Sequence, residues 1–258
     1  MKPFLNDGAI KAIADGTHGS PHDVLGMHEV KGQNRGVVVH TFQPFAQSVE
    51  VVDTASGQAT AMGRIHQNGL FEYFFAGRDR FPYRLRMTGY DGHSWELEDP
   101  YRFALQISDF DLYLFGEGTH YRTYEKMGAH PMTLDGIEGV HFAVWAPNAM
   151  RVSVIGWFNR WDGRHHPMQH RGNSGLWELF IPGLVVGDLY KFEVKGRHGG
   201  YLGQKADPYG FASEMRPKSA SVVWDIHKYE WSDREWLEKR HSTNWFESPM
   251  SVYEVHLG

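Results

Sequence analysis

Along most of this chain, apolar and polar positions alternate with a period of two in short runs closed by Gly, Pro, Asn or Asp. Val49 and Val51 alternate with polar neighbours in one stretch, and Val152 and Val154 do so in another. This is the pattern of half-buried strands between turns, and it predicts a mostly β molecule. Helical spacing is confined to three places. Leu5–Asp15 carries apolar residues at helical intervals. SDFDLYLFGEG offers Ser108 as an N-cap and Gly116 as a stop. SDREWLEKR carries Ser232 with Glu235 three residues on, a capping-box signature. The last alternating run, SPMSVYEVHLG, sets Met250, Val252, Tyr253, Val255 and Leu257 in a stretch that reads as a buried strand over 250–257.

The pattern occurs twice. GVVVHTFQPFAQSVEVV from Gly36 aligns without a gap on GVHFAVWAPNAMRVSVI from Gly139. NGLFEYFFAG then parallels SGLWELFIPG, YRLRM parallels YKFEV, and DPYRF parallels DPYGF, with the spacing growing as loops lengthen. Two tandem β-sandwiches of immunoglobulin size are the simplest account, and two copies are too few for a solenoid. Aromatics shared by the copies are expected in equivalent core positions, Phe42 with Trp145 and Phe71 with Trp177.

Composition narrows the chemistry. Net charge is −5 with acid and base mixed along the 258 residues, so no basic stripe suits nucleic acid or an anionic membrane. There is no Cys, which removes disulfides and thiolate chemistry. The start, MKPFLNDGAIKAIADG, has no apolar core of signal-peptide length and no spanning segment follows, so a cytoplasmic protein is expected.

The copies differ at one loop. After its Val-Ser-Val-Ile strand the second copy has GWFNRWDG, where the first has DTASGQ. Trp157, Phe158 and Trp161 surround Asn159, and Asp162-Gly163 is a turn pair. Two Trp on such a loop suggest an exposed flat platform for something with an apolar face and polar edges, the description of a sugar ring. The alternative is that Trp161 folds back over the sandwich edge. Asn159 is a candidate hydrogen-bond donor and acceptor at the rim, and Lys191 a candidate donor. Arg84 holds the position of Lys191 in the first copy, so a plain surface cation is the alternative for that residue. One sugar face on an indole removes on the order of 100 Å² from water, about 2 kcal/mol at ~25 cal/mol per Å². Useful affinity would then need many sites on a polymer or a second linked module.

HFAVWAPNAMRVSVIG, FN-W, SGLWELFIPG, YKFEV and DPYGF resemble the N-terminal region of bacterial glycogen branching enzymes. So do PHDVLGMHEV, EDPYRF, EGTHYRTYEKMGAH and the closing PMSVYEVHLG, and the resemblance covers nearly the whole chain. It implies an N-terminal β-sandwich over 1–105, a helical linker over 106–136, and a glucan-binding sandwich of the early-set immunoglobulin-like type over 137–225. Residues 226–258 would be a linker helix and the first strand of a catalytic (β/α)8 barrel that is otherwise missing, so the strand over 250–257 is expected to be frayed or packed on a neighbour. It implies glucan contacts for Trp161 and Lys191, to which the loop adds Asn159 and Trp157. Trp157 departs from the family pattern, which has a small or polar residue there. The family reaction transfers an α-1,4-glucan segment to a 6-hydroxyl through a covalent intermediate, using two carboxyl groups on barrel loops about 5 Å apart. No motif for that pair occurs, so no catalytic residue is assigned, and the barrel becomes an expected partner beside glycogen.

Other chemistries find little footing. GEGTHY from Gly116 is a poor dinucleotide fingerprint because it ends a helix instead of following a strand. His166 and His170 on a strand would stand about 13 Å apart, too far for one metal. Neither a metal nor a cofactor is expected. Asp99 and Asp207 recur in both DPY turns, which argues for turn-making over catalysis. Two further readings stay open: sandwiches that only position a barrel or set chain-length choice, and an independent small enzyme.

Overall fold

The computed structural model describes residues 3–32 and 35–256. It divides into two compact units, residues 1–225 and 226–258.

The first unit opens with α1 (Asp7–Ala14), capped by the Asn6 side chain, which accepts from Ala9 N–H. β1 (Gly26–Val30), β2 (Gly36–Phe42), β3 (Ala46–Asp53), β4 (Ala59–Ala61), β5 (Gly63–His66), β6 (Leu70–Ala76), β7 (Tyr83–Gly89) and β8 (Ser94–Leu97) follow. They form two four-stranded antiparallel sheets, ordered β1-β2-β6-β5 and β4-β3-β7-β8. α2 (Asp109–Glu117) comes next, with the full capping box between Ser108 and Asp111. Its stop is Gly118 in the left-handed region, not Gly116. β9 (Gly128–Leu134), β10 (Ile137–Trp145), β11 (Ala149–Gly156), β12 (Gln169–His170), β13 (Leu176–Pro182), β14 (Leu189–Gly196), β15 (Leu202–Lys205), β16 (Ala212–Ser213) and β17 (Ser221–Val222) complete the unit. Their sheets run β12-β13-β10-β9 and β11-β14-β17-β16, with β15 also on β14. Because β9 pairs with β10 from Gly128 onward, the helical connection ends before that strand, short of residue 136.

Alternation gives each sandwich its core. Val37, Val39, Val49, Val51, Phe71, Leu85 and Met87 fill the first, and Val140, Phe142, Val152, Val154, Trp177 and Phe192 the second. The opposite faces of the β2/β6 and β10/β13 pairs are covered by a helix in each copy. α1 lays Ile10, Ile13 and Ala14 on Phe42 and Leu70, and α2 lays Leu112 and Phe115 on Ala143 and Leu176. Phe42 and Trp145 therefore lie on outer faces, and their fates differ. α1 buries Phe42, whereas Trp145, expected in the core, is 52% exposed at the end of β10 with its indole N–H on Ser174 O, 3.2 Å.

Both copies repeat two polar devices. The Tyr83 hydroxyl donates to Asp99 and the Tyr190 hydroxyl to Asp207, each at 2.6 Å. Each Asp also accepts the backbone N–H two residues on, which closes its DPY turn. On the outer faces, Glu72 accepts from Phe4 N–H and faces His40 Nε2 at 2.8 Å. Glu178 accepts from Gln106 and Ile107 N–H and faces His141 Nε2 at 2.9 Å. Each carboxylate thus anchors the segment that leads into the covering helix.

The second unit contains α3 (Arg234–Ser242) and a single 3-10 turn, Trp245–Glu247. Asp233 holds the N-cap position of α3 without a side-chain bond, so the expected Ser232–Glu235 box does not form. The run over 250–257 has a strand pattern but was expected to fray or pack on a neighbour for want of its own sheet, and among the described residues it forms no strand. Residues 251–256 have no strand partner among the described residues, and Val252 and Tyr253 are 83% and 90% exposed. Unpaired as a strand, the exposed run leaves its backbone groups to water. Leu257 and Gly258 lie outside the described residues.

Candidate functional site

The GWFNRWDG loop is built from the inside out. β11 ends at Gly156, and Trp157–Asn159 makes one 3-10 turn. Arg160 (φ 56°) and Trp161 (φ 60°) then take two successive left-handed positions, a conformation that costs a non-Gly residue about 1–2 kcal/mol. The surroundings impose it. Asn159 Oδ1 accepts from Gly156 N–H (3.0 Å), while Nδ2 donates to Val154 O (2.8 Å) and lies 2.9 Å from His166 Nδ1. Trp161 N–H returns to Gly156 O and Asp162 N–H to Asn159 O. Burial pushes His166 down to about 3, so the ring is neutral and can accept from the Asn159 amide. Asn159 was expected at the binding rim. The structure buries it to 3% exposure with both polar atoms committed, so it shapes the loop from within.

The loop closes on a buried ion pair. Arg151 donates to Gly163 O and pairs with Glu193 on β14. A Cβ on Gly163 would run into the Glu193 carboxylate, so a side chain there would push Glu193 away from its pair with Arg151. The Asp162 carboxylate accepts from Arg164 N–H and from its guanidinium.

Held this way, the two indoles stand apart from the core. Trp157 is 75% exposed and Trp161 half-buried. Their ring centres are 5.9 Å apart at 80°. The expected flat platform is therefore a corner, with one indole as floor and the other as wall. The corner opens on a shallow groove of about 350 Å³ whose other sides include Lys191, Gln204, Glu214 and Ser219. Lys191 sits on β14 opposite Ile155 of β11 and donates to Ser219 Oγ at 3.0 Å. Among the described residues Lys191 has no ion-pair partner, whereas its counterpart Arg84 is held by Glu98. The repeat thus separates a sequestered cation from one facing a groove.

Three of the four residues singled out in the sequence, Trp157, Trp161 and Lys191, come together at this groove. Gln204, Glu214 and Ser219 were missed. They come from β15 and from the turns before β17, where the sequence carries polar turn residues and no motif.

In arrangement, the groove offers two perpendicular apolar ring faces with Lys191, an amide, a hydroxyl and the Lys218–Glu214 ion pair around them. That suits a neutral, ring-shaped, hydroxyl-bearing ligand. Among the described residues no cluster of three His, Cys, Asp or Glu could hold a metal ion. No helix among them is long and apolar enough to cross a membrane.

Comparison with known proteins agrees with this layout. Residues 6–101 match the family described as alpha-1,4-glucan branching enzyme GlgB, N-terminal domain. Residues 126–210 match Carbohydrate-binding module 48 (Isoamylase N-terminal domain). The 1,4-alpha-glucan branching enzyme GlgB of Rubrobacter xylanophilus is 50% identical over 97% of this chain and 34% of its own length. That of Paramagnetospirillum magneticum is 51% identical over 96% and 32%. The chain spans about a third of the length of these curated relatives. A pullulanase of Anoxybacillus sp. LM18-11, solved with maltotriose, aligns over 88% of this chain and 30% of its own, at 17% identity and a TM-score of 0.32. A likeness that distant carries no argument about ligands.

Proposed function

We propose that this chain, which matches the GlgB N-terminal domain and carbohydrate-binding module 48, is the N-terminal region of a 1,4-alpha-glucan branching enzyme and binds α-1,4-glucan, as glycogen or starch, at the corner of Trp157 and Trp161. The observation that carries this is the pair of perpendicular indoles beside Lys191 on a loop whose inner bonds fix both rings outward. A glucosyl unit lies on one indole and abuts the other, and Lys191 donates to its hydroxyls in place of, or together with, Ser219. Gln204 and Glu214 supply further polar partners.

In this reading the chain serves a branching enzyme, which transfers an α-1,4-glucan segment to a 6-hydroxyl. No residue here is assigned to that chemistry, and iodine-stained amylose incubated with the chain alone is expected to keep its colour. Affinity electrophoresis with glycogen in the gel tests the binding. Wild type is expected to be retarded and Trp161→Ala to be retarded much less. Equal mobility of both, with and without glycogen, would remove the groove from the account.

One observation favours a second role. In residues 226–256, Trp231, Phe246, Met250, Val252 and Tyr253 are largely exposed, more bare apolar surface than a segment of that length keeps without a partner. We assign that partner as the (β/α)8 barrel of a branching enzyme.

A further inference from the structure

A second opening lies between the two sandwiches, apart from the Trp corner. Its inner part, about 210 Å³, is lined by Phe45 and Trp95 of the first sandwich and by Arg160 and His165 of the second. An outer part of about 480 Å³ shares Phe45, Trp95 and Arg160 and extends over Tyr90, Asp91 and His93. Together they reach the size of ordinary small-molecule sites, roughly 300–1,000 Å³.

Its walls are flat rings. Phe45 and His165 are stacked across the junction at 5.0 Å and 19°. The Arg160 guanidinium lies over the Phe45 ring at 4.6 Å. His93 and Trp95 are near-parallel at 6.1 Å and 16°. Tyr90 is 68% exposed at the mouth, its hydroxyl accepting from Arg64 at 3.3 Å. Charge is balanced between Arg160 and Asp91, which argues against a polyanion.

One polar atom inside has nothing to bond. His165 Nε2 is buried and without a hydrogen-bond partner among the described residues. Leaving such a group unpaired is costly, and a ring-edge shift at the cleft wall would let it reach a hydroxyl. Burial pushes this imidazole down to about 4, so at neutral pH it is uncharged and can exchange a hydrogen bond with a hydroxyl of either sense. At the innermost wall the polar groups are already committed, Asp99 to Tyr83 and the Tyr101 N–H, and the Tyr101 hydroxyl to Pro167 O.

We propose that the junction cleft is a second carbohydrate subsite, which takes a glucosyl unit of an α-glucan chain in its outer part, beside Tyr90, Trp95, Asp91 and Arg160, with the stacked Phe45 and His165 rings forming its inner wall. The identity of the sugar rests on the reading of the Trp corner; the cleft itself does not. The loop that presents Trp161 to the corner presents Arg160, one residue earlier, to the cleft. The two successive left-handed residues splay these side chains apart, so one loop serves two sites. Two weak sites on one polymer raise each other's effective concentration.

Titration of the whole chain with maltoheptaose tests this, with affinity read by calorimetry and the His165 imidazole signals read by NMR. Tyr90→Ala is an exposed change, and Arg160→Asn keeps a residue that tolerates the left-handed position. Each is expected to weaken binding about 3–10-fold, the scale of one lost stacking or cation contact. Trp161→Ala should leave part of the binding and the His165 shift in place. If Trp161→Ala abolishes binding while Tyr90→Ala and Arg160→Asn leave it intact and His165 does not shift, the cleft is overturned and the corner stands. If His165 shifts and Trp161→Ala changes nothing, the cleft stands and the corner falls. No binding by wild type overturns both.

Discussion

At the scale of single residues, the loop shows why chemistry-bearing types are easier to recognise than their roles. Trp157, Trp161 and Lys191 were legible in the sequence because the repeat lacks the two Trp in its first copy and because side chains of those types need partners when exposed. Asn159 was misread as a rim residue because its inward bonds to Val154, Gly156 and His166 depend on a turn geometry that no spacing encodes. Asn159→Ala should therefore lower stability by about 1–3 kcal/mol, through the polar groups it leaves unpaired, and weaken glucan binding only as the loop loosens. Denaturant unfolding measures the first. A fully stable variant with lost binding would restore Asn159 to the rim. Gly163→Ala drives a methyl into Glu193 and should cost about 1–3 kcal/mol by overpacking, read in the same way.

At the scale of elements, alternation made both sandwiches legible, since a period of two is a property of single strands. What covers each sheet's outer face was not legible. Phe42 and Trp145 align in the repeat, yet α1 buries Phe42 whereas α2 meets Trp145 only through Phe115, ring centres 6.3 Å apart, and leaves it half-exposed. The final run at 250–257 alternates like a strand, but a strand also needs a neighbouring edge, which a local pattern cannot supply. The packing between elements also predicts a pH response. Burial lowers His22 and His165 to about 4 and His166 to about 3. Groups depressed in the fold below their unfolded value near 6.5 contribute stability that is full above about pH 6.5. It is lost as pH falls through about 4 to 3. Asp99, raised by burial to about 6, has the opposite sign, and its contribution is lost as pH rises from about 4 through 6. Asp207 is likewise raised by burial, while burial also lowers His18, His28 and His170; six histidines outweigh two carboxyls, so the melting temperature should fall as pH drops from about 6.5 to 4. A flat or rising melting temperature over that interval would show that these rings are not held neutral.

At the scale of the whole molecule, the chain joins two tightly cored sandwiches to a segment with little core of its own. Residues 226–256 bury no hydrophobic side chain among the described residues, whereas both sandwiches hold contiguous cores. Limited proteolysis should therefore cut first between 226 and 256, leave a stable fragment near 1–225, and not reduce that fragment's retention on glycogen. First cuts inside the sandwiches, seen by mass spectrometry, would contradict this. The account rests most heavily on glucan meeting the indole corner. The indole N–H signals of Trp157 and Trp161, assigned by single Trp→Phe variants and followed by NMR during titration with maltoheptaose, test that contact directly. Both signals are expected to move in a saturable way while that of the buried Trp177 stays still. If Trp157 and Trp161 remain fixed while maltoheptaose binds elsewhere or not at all, the corner is not where this protein meets glucan.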